Sequence, residues 1–273
     1  MNLKTASILI GFFGLTTFFS CTEKGEPTEA PPEVLAVYPS LDTLPENLLR
    51  MYILFSKPMK TVGNLEKIRL TDPAGNTVKD AIFNNAYELW DNEQKQLTIL
   101  FDPARVKTGL QANEALGRAL QRGKNYRLSI QGLEDVYHQK MSAPFVKNIY
   151  VVDEDTTAPS TDNWTIEVPM SNTKTALVVQ FPQSLDRLSA LQRIRLTNTD
   201  QQLVEGEVEL KKNEKEWYFT PHNKWVKGSY HLFVNTRLED PSGNNLNGLF
   251  DHKIGSLKSD QEGELKSIPI NIH

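Results

Sequence analysis

The chain has 273 residues, with 30 Lys and Arg against 34 Asp and Glu for a net charge of −4, and 39% of its residues are hydrophobic. So mild an acidic excess argues against nucleic acid as a partner, and glycine and proline counts of 15 each exclude collagen-like repeats and global disorder. A single cysteine excludes an intrachain disulfide, so the fold has to be held by packing alone.

Residues 1–20 carry Lys4 as their only charge, followed by an apolar run through Ile8, Leu9, Ile10, Phe12, Phe13, Leu15, Phe18 and Phe19 to Ser20. A short basic start, an apolar centre and a small residue before the break make a secretory signal. Gly11, Gly14, Thr16 and Thr17 interrupt the run, which stays near the lower limit of about 17 apolar residues for a membrane span. Ser20 followed by Cys21 resembles the bacterial lipobox. That resemblance implies cleavage before Cys21, a diacylglycerol on its thiol, and attachment to a membrane through that lipid. Thr22, Glu23, Lys24 and Glu26 resemble the acidic stretch of Bacteroidetes-type lipoproteins, which implies a cell-envelope protein at the periplasmic or outer face of the outer membrane. Without residues 1–20 the chain keeps 29 basic and 34 acidic side chains, a net charge of −5. A polar tether over 21–32 is followed by about 240 residues, enough for two domains with cores of their own.

Those residues contain a duplication. "MYILF" from Met51 lies against "LVVQF" from Leu177, and "IRLT" at Ile68 recurs at Ile194, both 126 residues later. "LTILFDP" ending at Pro103 matches "EWYFTP" ending at Pro221, and "GKNYRLSI" from Gly123 matches "KGSYHLFV" from Lys227. "LED" at Leu133 returns at Leu238, and Phe145 is paired with Phe250. Within each block apolar residues alternate at period two, the signature of strands with one buried face. Met51, Ile53 and Phe55 pair with Leu177, Val179 and Phe181 as inward positions, and Tyr126, Leu128 and Ile130 pair with Tyr230, Leu232 and Val234. Turn formers such as "DPAGN" from Asp72 and "EDPSGNN" from Glu239 separate the blocks. The pattern predicts an all-β protein with two tandem immunoglobulin-like antiparallel sandwiches, over 33–152 and 160–256, joined by a linker over 153–159. The tail over 257–273 has room for one extra strand.

"LRMYILFSKPM", "IRLTDPAGNTV", "GKNYRLSI" and "LEDVYHQKM" resemble the bacterial Ig-like domains named after the S-layer protein SbsA. Phe55, Ser56, Lys57, Pro58 and Met59 carry that family's first signature, which the second copy keeps only as "FPQSLD". The resemblance implies a fold and an exported setting, and no reaction.

Little in the sequence points to catalysis. His138, His222, His231, His252 and His273 lack metal-ligand spacing, and no nucleophile elbow, phosphate loop or His-Glu-x-x-His helix occurs. Asp153, Asp155 and Asp162 at the junction are candidate calcium ligands, with a solvated linker as the alternative reading. Trp217 and Phe219 fall on inward positions, Trp225 at a sandwich end, and Trp90 beside a hairpin turn, where it is the tryptophan expected to be exposed. Copy one has 14 extra residues between Pro103 and Tyr126. This insert, 104–124, spaces Leu110, Ala115, Leu116, Ala119 and Leu120 as a helix would, with Arg105, Lys107, Arg118, Arg122 and Lys124 around them. It reads either as a partner-binding element or as a lid on the sandwich. The expectation is a non-enzymatic, lipid-anchored envelope protein, spacer and interaction module at once, with an unidentified protein or glycan as partner and no cofactor beyond the lipid on Cys21. The rival expectation is a carbohydrate-binding accessory protein or envelope enzyme, with its site at the junction or the insert.

Overall fold

The computed structural model describes residues 30–84, 87–252 and 263–273; the signal segment, Cys21 and its acidic neighbours lie outside them. The N-terminal half contributes β1 (Val34–Tyr38), β2 (Thr43–Pro45), β3 (Arg50–Phe55), β4 (Ile68–Thr71), β5 (Leu89–Trp90), β6 (Gln96–Leu100), β7 (Asn125–Ile130) and β8 (Phe145–Val152). These make two sheets in the orders β1-β3-β6-β5 and β2-β8-β7-β4. The C-terminal half contributes β9 (Thr165–Glu167), β10 (Leu177–Gln180), β11 (Ile194–Asn198), β12 (Gly206–Lys211), β13 (Glu216–Pro221), β14 (Gly228–Asn235) and β15 (Leu265–Ile272), in the orders β12-β13-β10-β9 and β11-β14-β15. The protein is an all-β pair of sandwiches. All pairings are antiparallel except β2 with β8, which is parallel.

Each sandwich closes on its own apolar cluster, built from the inward positions of the repeat. Met51, Ile53, Phe55, Leu128 and Ile130 are at most 1% exposed in the first; Leu177, Val179, Leu232 and Val234 are wholly buried in the second. Each such side chain contributes roughly 1.5–3 kcal/mol by leaving water. Trp217 stacks on Phe219 at 5.6 Å, and Trp225 meets Tyr230 edge-on at 5.5 Å while donating its Nε1 proton to Thr175 O at 2.8 Å.

The turns repeat as faithfully as the strands. Asp72 and Asn198, 126 residues apart, each accept from the main chain four residues on, Asn76 N and Gln202 N. Asp135 and Asp240, 105 residues apart, do the same with Gln139 N and Asn244 N. In every one the fourth residue is left-handed: Gly75, Gln201, His138 and Gly243. A short carboxylate or amide that closes such a turn on the backbone explains why Asp and Asn recur there.

Two expectations change. Phe250 is not in a strand and packs instead against the core of the N-terminal sandwich. The strand that follows β14 is β15, which pairs with it over all eight residues from Gly228↔Ile272 to Asn235↔Leu265 and buries Ile270 and Ile272. Pro269 sits opposite His231 in that ladder, with no described strand on its other side. The single amphipathic helix predicted for the insert is two short ones, α1 (Pro103–Val106) and α2 (Gln111–Leu116). Gly109 and Gly117, both at positive φ, break the run, so Ala115 and Leu116 face solvent while Ala119 and Leu120 enter the core.

Candidate functional site

The two sandwiches meet along a polar seam. Tyr52 sits at an outward position of β3, yet it is 2% exposed because the second sandwich covers it. Its hydroxyl donates to both carboxylate oxygens of Asp186 at 2.9 and 2.7 Å. Asp186 also caps the third helix, α3 (Arg187–Arg193), by accepting from Ser189 N at 2.9 Å. Arg50, beside Tyr52 on the same strand, donates to Glu239 at 2.5 Å and lies 3.9 Å from Asp186. Burial pushes the Asp186 carboxyl up, opposed by the Arg50 charge and by hydrogen bonds from Ser189 and Tyr52. Burial and the adjacent Asp186 push the Tyr52 hydroxyl up as well.

A second set of bonds fastens the linker. Asn47 donates to Asp155 O and accepts from Asp155 N, both at 2.9 Å, while Asn244 donates to the same carbonyl at 3.1 Å. Ser242 donates its hydroxyl proton to Asn47 at 3.1 Å, and Leu49 N donates to Pro241 O at 3.0 Å. Gly243 lies so close that a β-carbon would stand 2.6 Å from Leu49 Cδ2. Behind them Asp240 accepts from Ser242 N and from Asn244; burial and the Asp155 charge nonetheless push its carboxyl up to about 8. Farther along, the buried Glu214 accepts from Ser40 N at 2.9 Å, and Arg187 lies over the Tyr38 ring at 4.1 Å. The segment 153–159 is therefore clamped at Asp155 rather than solvated along its length.

The seam also engages the basic side chains of the insert. Arg105 is 4% exposed and donates to the carbonyls of Lys79, Asp80 and Gly117, so it is a structural cation with nothing to offer a partner. Lys107 lies 4.3 Å from the centre of the Phe250 ring. Arg118 pairs with Glu46 and Glu154 at 2.6 Å and reaches Asp251 at 3.5 Å. Arg122, mostly exposed, pairs with Asp153 at 2.7 Å. The insert thus lies over the first core and ties into the junction. Asp153 is turned to Arg122, Asp155 is held in the clamp, and Asp162 lies in a separate turn where its N–H meets Ser160. Those three do not converge, and among the described residues no group of three or more His, Cys, Asp or Glu side chains could hold a metal ion.

Several hollows offer binding geometry. At the junction a cavity of about 540 Å³ is lined by Asn47, Thr108, Asp155, Asn244, Asp251 and His252 among others, and there Thr108 donates its hydroxyl proton to Asp251 at 3.2 Å. Beside Trp90 a cleft of about 510 Å³ runs between Val62, Leu65, Tyr87 and Glu88. Trp90 is half-buried rather than exposed. One side packs on Phe55 with ring centroids 5.6 Å apart, and its Nε1 donates to Glu88 at 3.0 Å. Glu88 also accepts from the main-chain N–H of Asn64 and from Asn64 Nδ2 at 2.7 Å. Those bonds, with one from Leu65 N, hold its carboxyl below the usual range against partial burial. An aromatic beside a turn was legible in the sequence; Arg50, Tyr52, Asn47 and Asp186 were not singled out, although Tyr52 at an outward strand position was the available signal.

No family model matches the sequence, and no curated protein matches it. Among solved structures it is similar to domains 1–6 of the surface layer protein SbsC, at 10% identity and a TM-score of 0.33, over 90% of this chain and 41% of that one. It is similar to a part of native alpha-2-macroglobulin from Escherichia coli at 11% identity and a TM-score of 0.29, over 90% of this chain and 91% of that one. Dimeric latent PorU from Porphyromonas gingivalis gives 14% identity and a TM-score of 0.30, over 89% and 20%. The chain spans about two fifths of the SbsC structure's length, and likenesses this slight carry no role across. No described helix is long and apolar enough to cross a membrane.

Proposed function

We propose that this is a non-enzymatic, lipid-anchored envelope protein in which two Ig-like sandwiches act as one stiff spacer presenting an interaction surface. The observation that supports it is the seam: Arg50, Tyr52 and Asn47 of the first sandwich grip Glu239, Asp186 and Ser242 of the second, and the linker is bonded to both at Asp155. A joint with buried polar groups bonded across it resists hinging, because opening it would strip the buried Asp186 of the Tyr52 hydroxyl and Glu239 of the Arg50 cation. Cys21 is the residue on which the anchor rests.

Two measurements test this reading. In a Cys21→Ser background, spin labels at the exposed positions Leu35 and Leu203 should give one narrow distance distribution; a broad one rejects the stiff spacer. Cys21→Ser itself should move the exported protein out of the detergent phase, and partitioning that survives the substitution rejects the lipid anchor.

A further inference from the structure

The Trp90 cleft exists because copy one departs from copy two at a single edge strand. In copy two the ladder from Val208↔Phe219 to Lys211↔Glu216 advances residue for residue. In copy one Ile82 pairs with Phe101 and Leu89 with Thr98. Three residues would cover that interval in an unbroken ladder, and the chain takes seven, so the register slips by four between the two pairings. Beside that slip Tyr87 lines the cleft at 84% exposure, next to the half-buried Trp90. Exposed aromatic rings flanking a concave surface are costly to keep in water and mark a place that binds.

The cleft is elongated. A second hollow of about 270 Å³ continues from it along β4, and the two share Leu65, Glu66 and Asn84 as walls. One end is therefore aromatic, with the indole of Trp90 already fixed by Phe55 and Glu88, and the other end mixes apolar walls such as Val78 and Ile82 with Arg69, Thr77 and Asp80. Fixed aromatic faces suit the C–H faces of sugar rings, and amide and carboxylate groups suit their hydroxyls; the fixed indole loses little freedom on binding. Glu66, Glu88 and Asp80 outnumber Arg69 along the walls, which disfavours an anionic chain.

We propose that this cleft binds successive rings of a neutral oligosaccharide, stacked on Trp90 and Tyr87. The proposal rests on the interaction-module reading above and names its ligand class. The test uses the mature chain with Cys21→Ser, titrated calorimetrically with maltohexaose, cellohexaose and chitohexaose. At least one should bind with a submillimolar Kd, and Trp90→Ala and Tyr87→Ala should each weaken it about tenfold or more, while Val226→Ala in the other sandwich leaves it unchanged. Trp90 also packs on the core, so the Tyr87 variant, which removes a side chain standing in solvent, decides if Trp90→Ala unfolds. No binding of any hexasaccharide, a Tyr87→Ala protein that binds like the parent, or binding of a decaproline peptide in place of the sugars would each overturn the proposal. The spin-label distance is indifferent to these outcomes, so either reading can fail alone.

Discussion

The two sandwiches carry the same ion-pair position with opposite chemistry. In copy one Lys60 bonds Glu134 at 2.5 Å, an ordinary pair within one domain. The equivalent positions in copy two are Asp186 and Glu239, two acids whose repulsion would destabilise an isolated domain. The missing cation comes from the other sandwich as Arg50, with Tyr52 supplying a further proton. With an acid where copy one has Lys60, copy two draws its cation from the neighbouring sandwich, so a seam between domains holds here what a contact within one domain holds in copy one. The turns tell the same story: His138 occupies the left-handed position in copy one, where it is exposed, and Gly243 occupies it in copy two, where Leu49 leaves no space for a side chain.

The largest expected effect falls on the cores. Phe55→Ala and Phe181→Ala should each cost roughly 3–5 kcal/mol, read by denaturant unfolding. If the seam couples the halves, both should shift one cooperative transition, whereas independent domains would show two. Next comes Arg50→Ala, which leaves two carboxylates facing each other at the seam and should cost about 3 kcal/mol and split the transition. Lys60→Ala, its counterpart, should leave Tm within about 2 °C. Equal effects of the two substitutions would erase the distinction. Gly243→Ala should cost about 2–3 kcal/mol from its positive φ and the approach of Leu49, while His138→Gly should be neutral or stabilise by about 0.5 kcal/mol. A further effect is one of pH. Between the usual carboxylate range and about 8 the folded chain holds a proton on Asp240 that the unfolded chain has released. That contribution is full at low pH and disappears as pH rises through about 8, so thermal stability should decline across this range. Asp240→Asn should flatten the decline, and an Asn is compatible with the turn because Asn198 closes an equivalent one.

The strands and their inward faces were legible because burial on one side of a sheet imposes alternation, and duplication printed the pattern twice. The class of fold followed. The seam was not legible, since the residues that make it are single polar side chains at outward positions, and their partners lie 134 to 195 residues away. The insert misled because apolar spacing suited a helix while Gly109 and Gly117 stopped one, and because the cation expected to greet a partner, Arg105, is consumed by backbone carbonyls. Phe250 was aligned to Phe145 by residue type; its chemistry was right for a core, but the core it joins belongs to the other sandwich. Trp90 was found as an aromatic beside a turn, while the register slip beside its cleft shows in the sequence only as a drift in repeat spacing.

Pro269 bears on how such molecules behave in a crowd. It lies in the middle of β15, a strand whose outer side no described strand covers, and its ring replaces the N–H that the outer lip of the sheet would otherwise offer. A strand from a neighbouring molecule could bond near Ser267 or Asn271 but would meet a gap between them. When copies are crowded together, this gap therefore disfavours edge-to-edge pairing along β15.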